Sequence, residues 1–68
     1  MGSQDHPGTG AMERARVAAG YTVPDVAAAM HRNPATITRW ERGQHAPSRD
    51  CLIALARLYG VGAAELVA

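Results

Sequence analysis

Two helix starts that lie close together constrain this sequence more than any other feature. Thr22 is a favourable cap for a first helix, and Asp25, three residues later, can bond back to it and complete a capping box. Asn33 is a favourable cap for a second helix. Pro34 suits the first position of that helix, where the N–H that proline lacks would have no helical partner. The first helix must therefore be short, and a tight turn must join it to the second.

The apolar pattern gives each of these helices two different sides. In the first helix, about residues 23–30, the apolar positions share one side at helical spacing: Val23, Val26, Ala27 and Met30. The second helix ends at Gly43, since glycine readily adopts the left-handed conformation of a helix stop. At about 100° per residue, the core-facing side of this helix carries Ile37, Trp40 and Glu41. The opposite side carries Ala35, Thr38, Arg39 and Arg42.

The residues on that opposite side are of the types that bind DNA in the major groove. Arginine binds phosphates and guanine edges, a hydroxyl binds bases or phosphates, and a methyl group contacts the thymine methyl. Two short helices joined by a tight turn are also the layout of DNA-binding helix-turn-helix motifs. The pair of helices therefore predicts a DNA-reading function.

Several separate stretches of the chain carry a family resemblance. They are Arg16 ahead of Gly20-Tyr21-Thr22, the pair Val26-Ala27, residues 36–43, Pro47-Ser48, and Leu55-Ala56 running to Tyr59-Gly60-Val61. Through them, residues 12–67 resemble the phage Cro and repressor helix-turn-helix family, the Xre type. The resemblance implies an all-α, compact five-helix bundle of the lambda-repressor-like kind. It also implies a sequence-specific, repressor-like transcriptional regulator with its recognition helix at about residues 34–42 in the major groove of double-stranded DNA.

Length and composition fit one small domain without metals or disulfides. The 68 residues are 47% hydrophobic, and the single cysteine cannot form an internal disulfide. No apolar run is long enough to cross a bilayer and no signal peptide is evident, so we expect a cytoplasmic protein. Residues 1–10 are rich in glycine and small polar residues and are predicted to be a flexible tail or a cloning remnant. Residues 11–68 then form the DNA-binding domain.

Positive charge is concentrated where the resemblance places DNA. A formal net charge of +1 does not by itself indicate nucleic-acid binding. Within residues 31–49, however, a single glutamate stands against four arginines: Arg32, Arg39, Arg42 and Arg49. One side of the domain is therefore predicted to be basic.

Another helix, about residues 11–19, is predicted to precede this pair and to end at Gly20. Its buried side is predicted to carry Met12, Ala15 and Ala19. Arg16 lies on that side and needs a partner, because an unpaired buried guanidinium is costly. In the family, the matching arginine pairs with the acid near the end of the recognition helix, which here is Glu41. We expect an Arg16–Glu41 bridge; the alternative is that both side chains are solvated.

The remaining chain predicts two further helices. Ser48 caps the longer one, which runs to about Tyr59 and ends at Gly60. Cys51 is expected to be a small packing residue rather than a reactive thiol, and Trp40 is expected to pack against this helix rather than stack on bases. A short last helix, about residues 63–67, would fold Leu66 beneath it. A small two-fold interface could use Leu58, Val61 and Val67.

Three departures from the family pattern bear on DNA reading. His31 occupies a turn position where the family prefers glycine, so a left-handed backbone is expected there. Val23 replaces a glutamine that helps to fix the phosphate, a contact that backbone N–H groups could supply instead. Pro34 and Ala35 replace longer polar readers. Base discrimination is therefore expected to depend chiefly on Arg39.

The resemblance and the helical wheel together predict two sets of DNA-contacting residues. The predicted base-reading residues are Asn33, Pro34, Ala35, Thr38 and Arg39. The predicted phosphate-binding residues are Arg32, Thr36, Arg42, Gln44, His45, Ser48 and Arg49. One copy reads few bases, so we expect a homodimer on DNA, with a further protein domain or partner outside this chain as another possibility.

The sequence offers little for catalysis. His6, His31 and His45 lack metal-ligand spacing, and neither a phosphate-binding glycine loop nor a nucleophile with its base is evident. We therefore expect no enzyme activity, no metal and no cofactor. The alternative function is a protein-interaction module with weakened DNA reading, such as an antitoxin-like or regulatory partner. The polar readers lost at positions 23, 34 and 35 support that alternative.

Overall fold

In the computed structural model, which describes residues 10–67, the chain folds into five helices and that range contains no strand. The helices are α1 (Ala11–Ala18), α2 (Val23–Met30), α3 (Pro34–Glu41), α4 (Arg49–Tyr59) and α5 (Ala63–Leu66). The prediction of an all-α five-helix bundle is confirmed. The predicted tail at residues 1–10 lies, apart from Gly10, outside the described residues.

The predicted capping residues start the three middle helices. The Thr22 N–H donates to Asp25 Oδ2 at 2.9 Å, and the Asp25 N–H donates to Thr22 Oγ1 at 3.1 Å, which completes the capping box of α2. Asn33 Oδ1 accepts from the Ala35 N–H at 2.8 Å at the start of α3. Ser48 Oγ accepts from the Cys51 N–H at 3.2 Å at the start of α4. Local hydrogen bonds of this kind can be predicted from the sequence, because both partners lie within one helical turn.

Left-handed residues end the helices as expected. Gly43 has φ 75° and follows the last turn of α3. His31 has φ 55° and ψ 44° and ends α2, which confirms the expected left-handed backbone at a residue other than glycine. The Arg32 N–H then donates to the Ala27 carbonyl at 2.9 Å, so the turn before α3 is hydrogen-bonded back onto α2.

The structure corrects three details near the ends of the domain. Ala19, predicted to be buried, is exposed, because α1 ends one residue before it and the chain turns away there. The last helix stops at Leu66 rather than at Val67. Leu58 and Val61 are only partly exposed and pack against the core, whereas Val67 is exposed, so the hydrophobic surface available for a two-fold interface is smaller than expected.

One hydrophobic core joins all five helices. Its buried members are Met12, Val26, Ala27, Ile37, Trp40, Cys51, Leu55, Ala56, Tyr59 and Leu66. The backbone of α3 runs closest to α1 and α2, while Trp40 shares the core with the residues of α4. Only one side of α3 is covered by these contacts, so its other side remains at the surface.

Candidate functional site

The helix α3 has a buried inner side and an open outer side. The inner side, which we define as Ile37, Trp40 and Glu41, is buried, with exposed fractions of 1%, 8% and 9%. The outer side, which we define as Ala35, Thr38, Arg39 and Arg42, is exposed except for the half-buried Thr38. The helical wheel therefore divided α3 correctly into two sides.

Arg39 exposes its guanidinium group on the outer side of α3. Within residues 10–67 its side chain has no hydrogen-bond or ion-pair partner. Its carbonyl oxygen accepts from the N–H groups of Gln44 and His45, at 2.9 and 3.4 Å. The loop after α3 is thus folded onto the last turn of the helix, which places Gln44 and His45 next to the predicted DNA-contacting side.

The inner side of α3 is tied to α1 by a nearly buried ion pair. Arg16 Nε donates to Glu41 Oε2 at 2.7 Å and Nη2 donates to Glu41 Oε1 at 3.4 Å, so the guanidinium meets both carboxylate oxygens. Arg16 Nη1 donates to the Tyr21 carbonyl at 2.8 Å, and the Arg16 and Glu41 side chains are only 11% and 7% exposed. The hydrogen bond to Glu41 raises the pKa of Arg16 above its ordinary value. One arginine therefore links α1, the segment between α1 and α2, and the end of α3.

The first turn of α3 has its own N–H groups already bonded. Asn33 Oδ1 accepts from Ala35, the Asn33 carbonyl accepts from the Thr36 N–H at 2.9 Å, and Pro34 has no N–H. The amide nitrogen of Asn33 is still available as a donor, while Pro34 and Ala35 offer only apolar atoms. This helix start can contribute side-chain contacts but no free backbone N–H to an anion.

The first turn of α2 is also poorly suited to a phosphate. Pro24 has no N–H and the Asp25 N–H is bonded to Thr22, which leaves only the Val23 N–H without an acceptor in the described part of the chain. The hydrogen bond from the Thr22 N–H lowers the pKa of Asp25, so its carboxylate carries negative charge at neutral pH. Backbone N–H groups at this helix start are therefore a weak replacement for the glutamine that the family often has at position 23.

The first turn of α4 differs from both in its free N–H groups, although like α2 it carries a carboxylate, that of Asp50. The N–H groups of Arg49 and Asp50 have no acceptor among residues 10–67. Arg32 Nη2 donates to Cys51 Sγ at 3.3 Å, so the guanidinium of Arg32 lies beside this turn. The guanidinium of Arg32 thus lies against the helix turn that begins with Ser48 and Arg49, two further predicted phosphate-binding residues. The Arg32–Cys51 contact was missed in the sequence, because no local spacing or motif connects two residues on different elements.

A second surface feature of the described residues lies away from α3. A shallow depression on α1 is lined by Glu13, Arg14, Val17 and Ala18, none of which belongs to the predicted DNA-contacting sets. In the described range, His, Cys, Asp and Glu side chains form no group of three or more that could hold a metal ion. None of the helices in this range has the length and apolar character needed to cross a membrane.

Comparison with known protein families gives a match. Residues 10–68 match the model of a family described as a helix-turn-helix domain. No curated protein and no solved structure shows a significant match to the chain. The matched range contains all five helices and every residue of the outer side of α3.

Proposed function

Because this chain belongs to the helix-turn-helix domain family, we propose that it is the DNA-binding domain of a transcriptional regulator, with α3 in the major groove of double-stranded DNA. Domains of this family bind DNA and are typically not enzymes. The observation that carries the proposal is the guanidinium of Arg39, which has no partner within residues 10–67 and is displayed on a helix whose inner side is buried. A rigid helix with a free arginine on its outer side is suited to reading base edges.

Base reading is assigned mainly to Arg39. A bidentate arginine–guanine contact contributes about 1–3 kcal/mol of discrimination against the wrong base pair. Thr38 can add a hydroxyl contact and Ala35 a contact with a thymine methyl. Asn33 keeps its amide N–H groups for a base or phosphate, since only its Oδ1 is used as a cap. Pro34 contributes shape and apolar contact alone.

Phosphate binding is assigned to two groups of residues, one on or after α3 and one around the start of α4. The first group follows or lies on α3: Thr36, Arg42, Gln44 and His45. The second group surrounds the start of α4: Arg32, Ser48 and Arg49. Free N–H groups and the positive end of the helix dipole favour an anion at the start of α4. These groups would set the register of the domain on DNA, because phosphate contacts position a protein without specifying sequence.

The Arg16–Glu41 ion pair supports this function indirectly. It fixes the end of α3 to α1, close to Arg39 and Arg42 in the chain. A reading helix that is already oriented loses less conformational freedom when it binds. The pair is therefore proposed to preorganise the outer side of α3 rather than to contact DNA.

A homodimer on a palindromic site is part of the proposal. One reading helix contacts too few base pairs for tight specificity, and two-fold symmetric binding doubles that number. The dimer contacts could come from the end of this chain or from a further domain or partner. The resemblance to Xre-type proteins supports repression and a cytoplasmic location.

The proposal is tested by selecting bound sequences from a random pool of double-stranded DNA at a stated salt concentration. We expect one enriched motif containing a guanine, with two-fold symmetry if the domain dimerises. Arg39→Ala should then weaken binding to the selected DNA by about 5- to 150-fold, which corresponds to the loss of about 1–3 kcal/mol.

Arg57→Ala is the matched control, because Arg57 is an exposed arginine in the last turn of α4, far along that helix from its DNA-facing start. It removes the same charge and should leave affinity nearly unchanged. Equal losses for both variants would show only non-specific attraction to DNA, and the reading role of α3 would be wrong.

The alternative function is a protein-interaction module with weakened DNA reading. Ala28 and Ala29 are exposed on α2, and the start of α3 offers few polar groups. This alternative predicts that no sequence is enriched from the pool. It also predicts that Arg39→Ala does not change the binding of the protein partner.

A further inference from the structure

We propose that Cys51 is a positioning residue for DNA binding, whose thiol holds the guanidinium of Arg32 beside the start of α4 so that Arg32 and Arg49 contact the same stretch of DNA backbone. The inference rests on the proposed function and adds to it a role for a buried residue that does not itself touch DNA.

The backbone and the side chain of Arg32 are both held in place. The Arg32 N–H donates to the Ala27 carbonyl at 2.9 Å, directly after the left-handed His31. From there the side chain extends to α4, where Nη2 donates to Cys51 Sγ at 3.3 Å. Without that contact, an exposed arginine in a turn would sample many rotamers. The thiol therefore selects one direction for a side chain that is otherwise solvated.

Cys51 is itself firmly placed. It is 8% exposed and belongs to the core, and its N–H donates to Ser48 Oγ at 3.2 Å. Its sulfur thus lies at a fixed point in the first turn of α4. Ser48 and Arg49 start the same turn, so an arginine held on this sulfur lies within one helical turn of the backbone that carries two other predicted phosphate ligands.

The chemistry of the acceptor distinguishes this contact from the Arg16–Glu41 pair. A thiol sulfur is a weak and neutral acceptor, so it orients the guanidinium without neutralising its charge. Glu41, in contrast, is a carboxylate that meets two nitrogens of Arg16. Arg32 keeps its remaining N–H donors and its full charge for an outside anion. A contact that served only to hold the fold together would be expected to use a stronger acceptor than a thiol, such as a carboxylate.

The test is a double-mutant cycle measured on the selected DNA, with thermal unfolding recorded for each variant. Cys51→Ala should weaken binding by about two- to tenfold, because the Arg32 side chain must then be ordered on binding. In an Arg32→Ala background the same substitution should have no effect on affinity. In an Arg49→Ala background the two- to tenfold loss should remain. Cys51→Ser keeps an acceptor of similar size and should retain most of the wild-type affinity.

Salt dependence separates positioning from contact. Arg32→Ala should reduce the slope of log affinity against log salt by about 0.9, the value for one lost phosphate contact, whereas Cys51→Ala should leave the slope unchanged. An equal loss of affinity for Cys51→Ala with and without Arg32 would mean that the cysteine acts only through the fold, and the inference would be overturned while the proposed function stood. A wild-type domain that enriches no DNA sequence would instead reject the proposed function, and the inference with it.

Discussion

Arg16 on α1 packs against the inner side of α3, whereas Arg39 lies on the outer side of α3, and their surroundings differ in the partners that they offer. Arg16 is nearly buried and bonded to Glu41 and to the Tyr21 carbonyl, so its charge is used within the fold. Arg39 is exposed and has no partner within residues 10–67, so its charge is available to a ligand. The difference shows that residue type alone does not define a DNA-binding arginine; the partners that the fold supplies do.

The two sides of α3 should also differ in how they tolerate substitution. The inner side contributes to the free energy of unfolding, because its residues complete the core and the ion pair. The outer side is expected to contribute to DNA binding, as proposed above, and almost nothing to the free energy of unfolding. Four substitutions test this contrast, from the largest expected change in stability to the smallest.

Trp40→Ala should have the largest effect, a loss of about 3–5 kcal/mol in the free energy of unfolding, because it removes a large buried ring from a small core. Such a loss is close to the whole stability of many small domains, so circular dichroism should show a mostly unfolded chain. The wild-type fluorescence spectrum is an independent check, since Trp40 is the only tryptophan. An emission maximum typical of water-exposed indole would contradict the buried position.

Glu41→Ala should cost about 2–3 kcal/mol, because it leaves the guanidinium of Arg16 nearly buried without its main partner. The remaining bond to the Tyr21 carbonyl and the more distant Glu13, at 3.9 Å, limit the loss. Urea unfolding would measure it. Glu65→Ala, which removes an exposed carboxylate from α5, is the control and should change stability by less than about 0.5 kcal/mol. A Glu41→Ala variant as stable as the control would show that the ion pair contributes nothing.

Tyr59→Phe probes a buried group next to the inner side of α3. The Tyr59 hydroxyl has no hydrogen-bond partner among the described residues, and burial raises the pKa of Tyr59 to about 12, an effect to which the nearby Glu41 adds. The pKa of tyrosine in the unfolded chain is about 10. Between that pH and about 12 the unfolded state releases this proton while the folded state keeps it, so the folded state loses stability as the pH rises. The wild type should lose more stability than Tyr59→Phe over that interval, by about 1–2 kcal/mol once solvent screening is allowed for.

At neutral pH the same substitution should be neutral or slightly stabilising, because it removes an unsatisfied buried hydroxyl. Urea unfolding at several pH values measures both effects. Identical pH profiles for the two proteins would contradict the raised pKa, and a large loss at neutral pH would show that the hydroxyl has a partner.

Arg39→Ala should have the smallest effect on folding, within about 0.5 kcal/mol, because the side chain is exposed and makes no contact that the fold needs. The same variant is expected to lose sequence-specific DNA binding. A stability loss as large as that of Glu41→Ala would remove the contrast between the two sides of α3, and with it the argument that Arg39 is displayed for a ligand.

The comparison also shows which parts of the site could be read from the sequence. The starts of α2, α3 and α4 were predictable because a cap and the N–H that it binds lie within four residues of each other. The two sides of α3 followed from helical periodicity. The pairing of Arg16 with Glu41 could not be derived from spacing, since the two residues are 25 positions apart, and it was expected only because the family resemblance supplied the partner.

Other details had no signal in the sequence. The exposure of Ala19 depended on where the chain leaves α1, and the orphaned hydroxyl of Tyr59 depended on what surrounds it in the core. The contact between Arg32 and Cys51 joins a turn to a helix 19 positions away. Each of these is a long-range outcome of packing.

The sequence by itself determined the helices, their caps and the two-sided pattern of α3, because these depend on interactions between residues one or two helical turns apart. Periodicity could place Arg39 on the outer side of α3, but only the tertiary structure decided which partner each arginine has. An arginine side chain is long and flexible, and its partner is set by which other element is packed within its reach. That is why Arg16 and Arg32 acquire partners on distant elements, while Arg39 stays exposed with no side-chain partner among residues 10–67.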